Sequence, residues 1–294
     1  MKSPRFAVPI ALTGAFISCV LTTAEPTPSY ADRLRKDVVY RTVGGVDLKL
    51  DAYVPEGDGP FPTAILVHGG GFVRGDKQSY ITPLFEPLSR AGYAWFTIDY
   101  RLAPGHRWPA CAEDVRAAIA WVKQHAKEYK VDAGRIALIG ESAGGHLVSY
   151  VGTQRTEETT VAAVVPFYAP HDLVFQNEGQ AEPGPSMKAL LGLETLDDAA
   201  KAKLREVSAT TYIKPGLPPY LLITGDADAQ VPAEQSRRFH ARMAAAGNDC
   251  TLIVVPGGAH GMGSWRTLGS DYQARMIAWL NTKLSAGTAP TTAP

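Results

Sequence analysis

The chain has 294 residues, 45% of them hydrophobic, and its 29 basic and 29 acidic side chains cancel to a formal charge of zero. That length and apolar content suit one globular domain with a full core. A balanced charge gives no electrostatic ground for binding nucleic acid or an anionic membrane surface.

At the N-terminus, Lys2 and Arg5 precede an apolar stretch from Phe6 to Val20, and Leu21-Thr22-Thr23-Ala24 ends in small residues. This is the pattern of a secretory signal peptide spanning 1–24 and cleaved near Ala24, so a secreted or periplasmic location is expected, with no stable membrane association afterwards. Ser18-Cys19 leaves lipidation of Cys19 as the other processing route. Residues 25–35 read as a linker, 36–284 as the domain, and 285–294, small, polar and proline-rich, as a disordered tail.

Residues 38–43 and 46–54, joined across Gly44-Gly45, read as an antiparallel hairpin. From residue 63 the pattern alternates. Strands are predicted at 63–67, 93–98, 135–139, 161–167, 220–224 and 251–255, with helices near 79–91, 110–129, 143–154, 233–246 and 270–284. Short apolar strands separated by helices imply the α/β class, a mostly parallel eight-stranded sheet with helices on both faces. Residues 170–219 break this rhythm, contain Pro183-Gly184-Pro185 and a predicted helix near 197–207, and are expected to form a small lid over the catalytic edge. Cys111 and Cys250 fall at opposite edges of such a sheet, too far apart for a disulfide.

The chemistry begins at Gly140-Glu141-Ser142-Ala143-Gly144, between an apolar strand and a helix. Glycines at both ends let the chain reverse sharply and leave the serine hydroxyl proud of the strand tip. Three further features follow predicted strands: His68-Gly69-Gly70-Gly71, Asp228, and His260 in Pro256-Gly257-Gly258-Ala259-His260-Gly261. All lie at the C-terminal edge, where open α/β sheets place their sites, and the order Ser, Asp, His is that of α/β-hydrolases. In this reading Ser142 attacks, His260 is its base, Asp228 orients the imidazole, and the N–H groups of Gly70, Gly71 and Ala143 receive an oxyanion. Asp226 and Asp172 compete with Asp228 for the acid; His68 is assigned to the structure of the glycine loop, and His146 is left open as a wall of the site. The glycines also approximate a dinucleotide fingerprint, but the helix starts too late and Asp99 lies too far on, so no cofactor is expected. No cysteine-histidine spacing points to a metal.

These motifs, His68 to Phe72 with Gly75-Asp76-Lys77, then Asp99-Tyr100-Arg101-Leu102-Ala103-Pro104, then Gly140 to Gly145, resemble the hormone-sensitive-lipase-like esterases of the α/β-hydrolase fold. Within that group the chain is similar to the bacterial carboxylesterase, acetyl-xylan esterase and feruloyl esterase-like branch. The resemblance spans residues 36–284 and implies the same triad and oxyanion donors. Glu141 departs from the usual Asp, and a large N-terminal cap has no room; both turn the expectation away from long-chain lipids. Phe72, Trp108, Tyr168 and Trp265 are candidate walls of a shallow pocket. The function implied is a secreted serine carboxylic ester hydrolase for short acyl or aromatic esters, with small-molecule or polysaccharide-linked substrates. Its rivals are the same triad on another acyl bond (an aromatic polyester, an arylformamide or a peptide) and a non-catalytic binding protein on a hydrolase scaffold.

Overall fold

Gly44 and Gly45 both take positive φ, +59° and +79°, as a two-residue hairpin turn requires if its twist is to match the strands it joins. They connect β1 (Arg35–Val43) to β2 (Val46–Tyr53) in an antiparallel pair. The computed structural model describes residues 29–154 and 156–285, with Met1; the expected signal peptide and nearly all of the expected tail lie outside the described residues. Strands and helices then alternate: β3 (Phe61–Val67), α1 (Phe85–Arg90), β4 (Ala94–Ile98), α2 (Ala110–Gln124), β5 (Val131–Glu141), α3 (Ala143–Thr153) and β6 (Ala163–Phe167). The insertion follows, carrying α4 (Leu173–Gln176), α5 (Pro185–Leu191) and α6 (Asp198–Glu206). The chain closes with β7 (Tyr220–Gly225), α7 (Glu234–Ala245), β8 (Cys250–Val255) and α8 (Tyr272–Lys283).

One eight-stranded sheet results, in the order β1-β2-β4-β3-β5-β6-β7-β8. β2 runs antiparallel to β4, and all later neighbours are parallel. This is the α/β-hydrolase fold. Alternation along the central strands sends Ile65, Val67, Ile136 and Leu138 to one face, where they pack with α2, α3 and α7. Ala64, Leu66, Ala137 and Ile139 go to the other face, against α1 and α8. Buried on both faces, these strands show no polar alternation, which is why they read as apolar runs. Among the described residues, no helix is long and apolar enough to cross a membrane.

The expected elements are all present, with adjusted bounds; α2, for one, ends at Gln124 where the helix was expected to reach 129. The helix expected over 79–91 is a short 3-10 turn, Thr82–Leu84, followed by the six-residue α1. It starts late because Asp76 and Ser79 close a local turn, Ser79 N–H bonding Asp76 O at 2.9 Å, and Tyr80 then takes φ +62°. β5 begins at Val131 rather than 135, since Phe61 N–H reaches over to Lys130 O at 2.7 Å. The insertion holds three helices where one was expected. Cys111 is buried at the start of α2, Cys250 opens β8, and both are free.

A charged knot fastens the loop after β4 to α2. The fully buried Asp114 carboxylate accepts from Arg101 N–H (2.9 Å), Arg101 Nε (2.8 Å) and Arg41 Nη1 (2.7 Å). Removing this carboxylate leaves the mostly buried Arg101 to the half-exposed Glu113 at 3.1 Å, a weaker counter-ion, and loses the backbone bond as well, which is the costly direction. Asp114→Ala is therefore expected to lower unfolding free energy by about 3 kcal/mol, read as a shift in urea midpoint; a shift under a third of that would show the knot to be dispensable.

Candidate active site

Ser142 sits at φ +53°, ψ −116°, a conformation non-glycine residues seldom adopt, between the end of β5 and the start of α3. Its N–H donates to Phe167 O at 3.0 Å, tying the turn to the end of β6. The flanking glycines are there for space. A Cβ on Gly144 would run into the carbonyl oxygens of Val67 and His68, and one on Gly140 would meet the carbonyl of Gly144. The turn and the loop after β3 thus touch backbone to backbone.

Two loops at the far end of the sheet supply the partners. Ser142 Oγ lies 2.9 Å from His260 Nε2, and His260 Nδ1 lies 2.7 Å from Asp228 Oδ2. A carboxylate can only accept, so Nδ1 carries the proton and Nε2 is free to accept from the serine. Asp228 is itself aimed by its own turn, its Oδ1 accepting from Gln230 N–H (2.8 Å) and Val231 N–H (2.9 Å). The competing acids are occupied elsewhere: Asp226 accepts from Gly257 N–H at 2.6 Å, and Asp172 caps α4 through Val174 and Phe175. The His260 loop is clamped on both sides, by Trp265 Nε1 donating to Ala259 O (2.7 Å) and by Met262 N–H donating to Tyr168 Oη (3.0 Å).

The glycine loop is braced by Tyr100, whose hydroxyl reaches His68 O and Gly69 O at 3.1 Å each and whose ring stacks on His68 at 4.2 Å. Gly70 and Gly71 take φ +96° and +63°. Their N–H groups, like that of Ala143, have no acceptor among the described residues, and all three residues line the cleft above Ser142. The cleft measures about 730 Å³. The insertion roofs it as expected, with Leu173, Pro185, Ser186 and Met187 in its wall.

Of the four aromatic wall candidates, Phe72 and Tyr168 line the cleft. The other two require correction. Trp265 is fully buried, packed on Tyr168 and Tyr272, and serves the His260 loop from beneath. The Trp108 ring points to α3, edge-on to Tyr150 at 4.7 Å, and its backbone N–H donates to Leu190 O at 3.0 Å. His146 likewise turns away, donating Nε2–H to Val207 O at 2.8 Å. Asp228 and His260 stand where the motif order put them, whereas Glu141 was noted only as a departure. Its carboxyl is buried against Gly69, a position where any Cβ would collide with Oε1, and burial pushes its pKa up to about 7. Nothing in the sequence marks this, because Gly69 lies on a different strand end. No cluster of three or more His, Cys, Asp or Glu able to hold a metal occurs among the described residues.

The BD-FAE family model matches residues 50–243. Esterase LipC of Mycobacterium tuberculosis is 30% identical over 214 residues, covering 69% of this chain and 53% of LipC. An acetylxylan esterase of Xylanibacter ruminicola is 28% identical over 214 residues, 72% of this chain and 43% of that protein. The chain spans about half the length of these curated relatives. Among solved structures, the Thermogutta terrifontis esterase Est2 is 27% identical with a TM-score of 0.69, covering 91% of this chain and 97% of Est2.

The titrations around the site set a pH dependence of stability. Burial holds the imidazoles of His68 and His146 down at about 4 and that of His171 at about 3. Below about pH 6.5 the unfolded chain gains protons at these positions that the folded chain refuses, so stability drains as pH falls from there towards 4. Glu141 acts oppositely: between 4.5 and about 7 the unfolded carboxyl ionises first, so its share of stability falls as pH rises. Three imidazoles outweigh one carboxyl. Urea midpoints are expected to drop on acidification between about pH 6.5 and 4.5, and more steeply in Glu141→Gln, which lacks the opposing group; an equal or shallower slope in the variant would contradict a buried, raised carboxyl.

Proposed function

The chain belongs to the BD-FAE family, in the hormone-sensitive-lipase-like group of esterases, and on that premise we propose that it is a serine carboxylic ester hydrolase working through an acyl-enzyme. The observation that carries the reading is the unbroken line Asp228–His260–Ser142, with separations of 2.7 and 2.9 Å. Ser142 Oγ attacks the ester carbonyl carbon while its proton passes to His260 Nε2. The carbonyl oxygen becomes an oxyanion held by the N–H groups of Gly70, Gly71 and Ala143, aided by the N-terminal end of α3. Collapse breaks the bond to the alcohol oxygen, which leaves with the proton from His260. Water then attacks the acyl carbon, gives its proton to the same nitrogen, and the acid departs with Ser142 restored.

Burial keeps Glu141 largely neutral below about pH 6 and only part-ionised near pH 7, so less negative charge opposes the oxyanion one residue away than an ordinary carboxylate would place there. The fit is to short acyl or small aromatic groups, because Phe72, Leu173 and Met187 close one side of the cleft. Esters on plant-wall polysaccharide are the substrate class favoured, in keeping with the relative described as an acetylxylan esterase. The N-terminal Lys2, Arg5 and the following apolar stretch support an exported enzyme meeting that substrate outside the cytoplasm.

Ser142→Ala is expected to lower kcat on p-nitrophenyl acetate by roughly 10⁴-fold or more while leaving the fold intact. Wild-type enzyme should hydrolyse acetate esters and methyl ferulate and leave a matched amide nearly untouched. A Ser142→Ala protein within tenfold of wild type, or preference for the amide, would sink this reading.

A further inference from the structure

Tyr80 takes no part in the machinery above, yet its placement is costly. At 49% exposed it is one of the few large apolar side chains among the described residues left open to solvent. Its φ of +62° is left-handed, a conformation that costs a residue with a Cβ on the order of 1–2 kcal/mol. Retained strain at an exposed position points to use rather than packing.

The loop that carries the ring is pinned on both sides. Ile81 N–H donates to Ser79 O at 2.7 Å, Lys77 N–H to Asp99 Oδ1 at 2.8 Å, and Thr97 Oγ1 to Lys77 O at 2.6 Å. The ring's edge rests on Gly75, where a Cβ would sit 3.3 Å from Tyr80 Cε2. Carried on that loop, Tyr80 lines the catalytic cleft.

Its side of the cleft can be identified. The neighbouring Ile81 and Leu84 share a core layer with Met262 and Trp265, which carry the His260 loop, and Gln273 Nε2 donates to Pro83 O at 2.8 Å. Phe72, Leu173 and Met187 belong to the opposite layer. His260 must return its proton to the leaving oxygen, so the alcohol lies along the wall formed by Tyr80, Thr82, Pro83 and residues 261–264. None of those side chains is charged.

We propose that Tyr80 is a platform for the alcohol part of the substrate, receiving the apolar C–H face of a pyranose ring. The negative face of the phenol ring attracts the positive C–H edge of the sugar, and the Tyr80 hydroxyl at the rim can bond a sugar hydroxyl. Arg74, exposed in the same cleft, stands a few residues before the ring and can meet polar or acidic groups of the same substrate. The inference rests on the serine esterase reading and extends it to the leaving group.

Acetylated xylo-oligosaccharide and ethyl acetate separate the two. In Tyr80→Ala, the ratio of kcat/KM on the glycan to that on ethyl acetate should fall about tenfold, chiefly through KM, a loss in the range of one missing apolar contact. Tyr80→Phe should keep most of the ratio. Tyr80→Gly should lose it as Ala does while folding at least as stably, because glycine accepts this φ without strain. An unchanged ratio, or a wild type that cleaves ethyl acetate but not the glycan, overturns the platform. So does a selective loss on methyl ferulate, which would assign the ring to the acyl side. If wild type cleaves neither ester, or Ser142→Ala cleaves both, the failure lies with the serine esterase reading instead.

Discussion

The site depends on one close approach: the backbone of Gly144 against the carbonyls of Val67 and His68. β3 and β5 are neighbours in the sheet, so the turn after one and the loop after the other emerge side by side. Only residues without side chains let them meet at backbone distance. That approach brings the glycine loop beside Ser142, so that Gly70, Gly71 and Ala143 line one cleft with it. His260 and Asp228 come from β8 and β7 at the far edge, so their loops must reach inward. The buried Trp265 and Tyr168 hold that reach, each through a single hydrogen bond to the backbone of the His260 loop.

The electrostatics follow the same economy. Asp228 accepts from two backbone N–H groups and one imidazole, so its carboxyl oxygens are fixed on the base. Glu141, buried with Oε1 unpartnered, is driven instead towards neutrality. The histidines beneath the insertion, His146 and His171, are kept neutral by burial, and among the described residues the imidazole that lines the cleft is that of His260.

Much of this was legible in the sequence because the decisive features are local. Each site loop follows an apolar strand and carries its own turn chemistry: glycines around Ser142, glycines after His68, Asp-x-Asp before Val231. Residues directly at strand ends, such as Tyr168, inherit a predictable position, and Phe72 follows the glycines that set its loop. Trp108 and Trp265 were not legible, because which side of a loop an aromatic faces is decided by distant partners, Tyr150 for one and Tyr272 for the other. The same holds for Glu141, whose environment is created by Gly69 across the sheet, and for Ser186, which the insertion brings to within 2.7 Å of where a Gly71 side chain would begin. The short helices α4 and α5 lacked the length for a visible period.

A fluorophosphonate tests the central claim most directly, since it reacts only with a serine whose hydroxyl, base and oxyanion donors are already assembled. One adduct per chain, mapped by peptide mass to Ser142 and lost when the protein is unfolded in urea before exposure, is the result this account predicts. Absence of labelling in the folded protein, or labelling of another residue with Ser142 unmodified, would mean that the three loops do not form a working nucleophile.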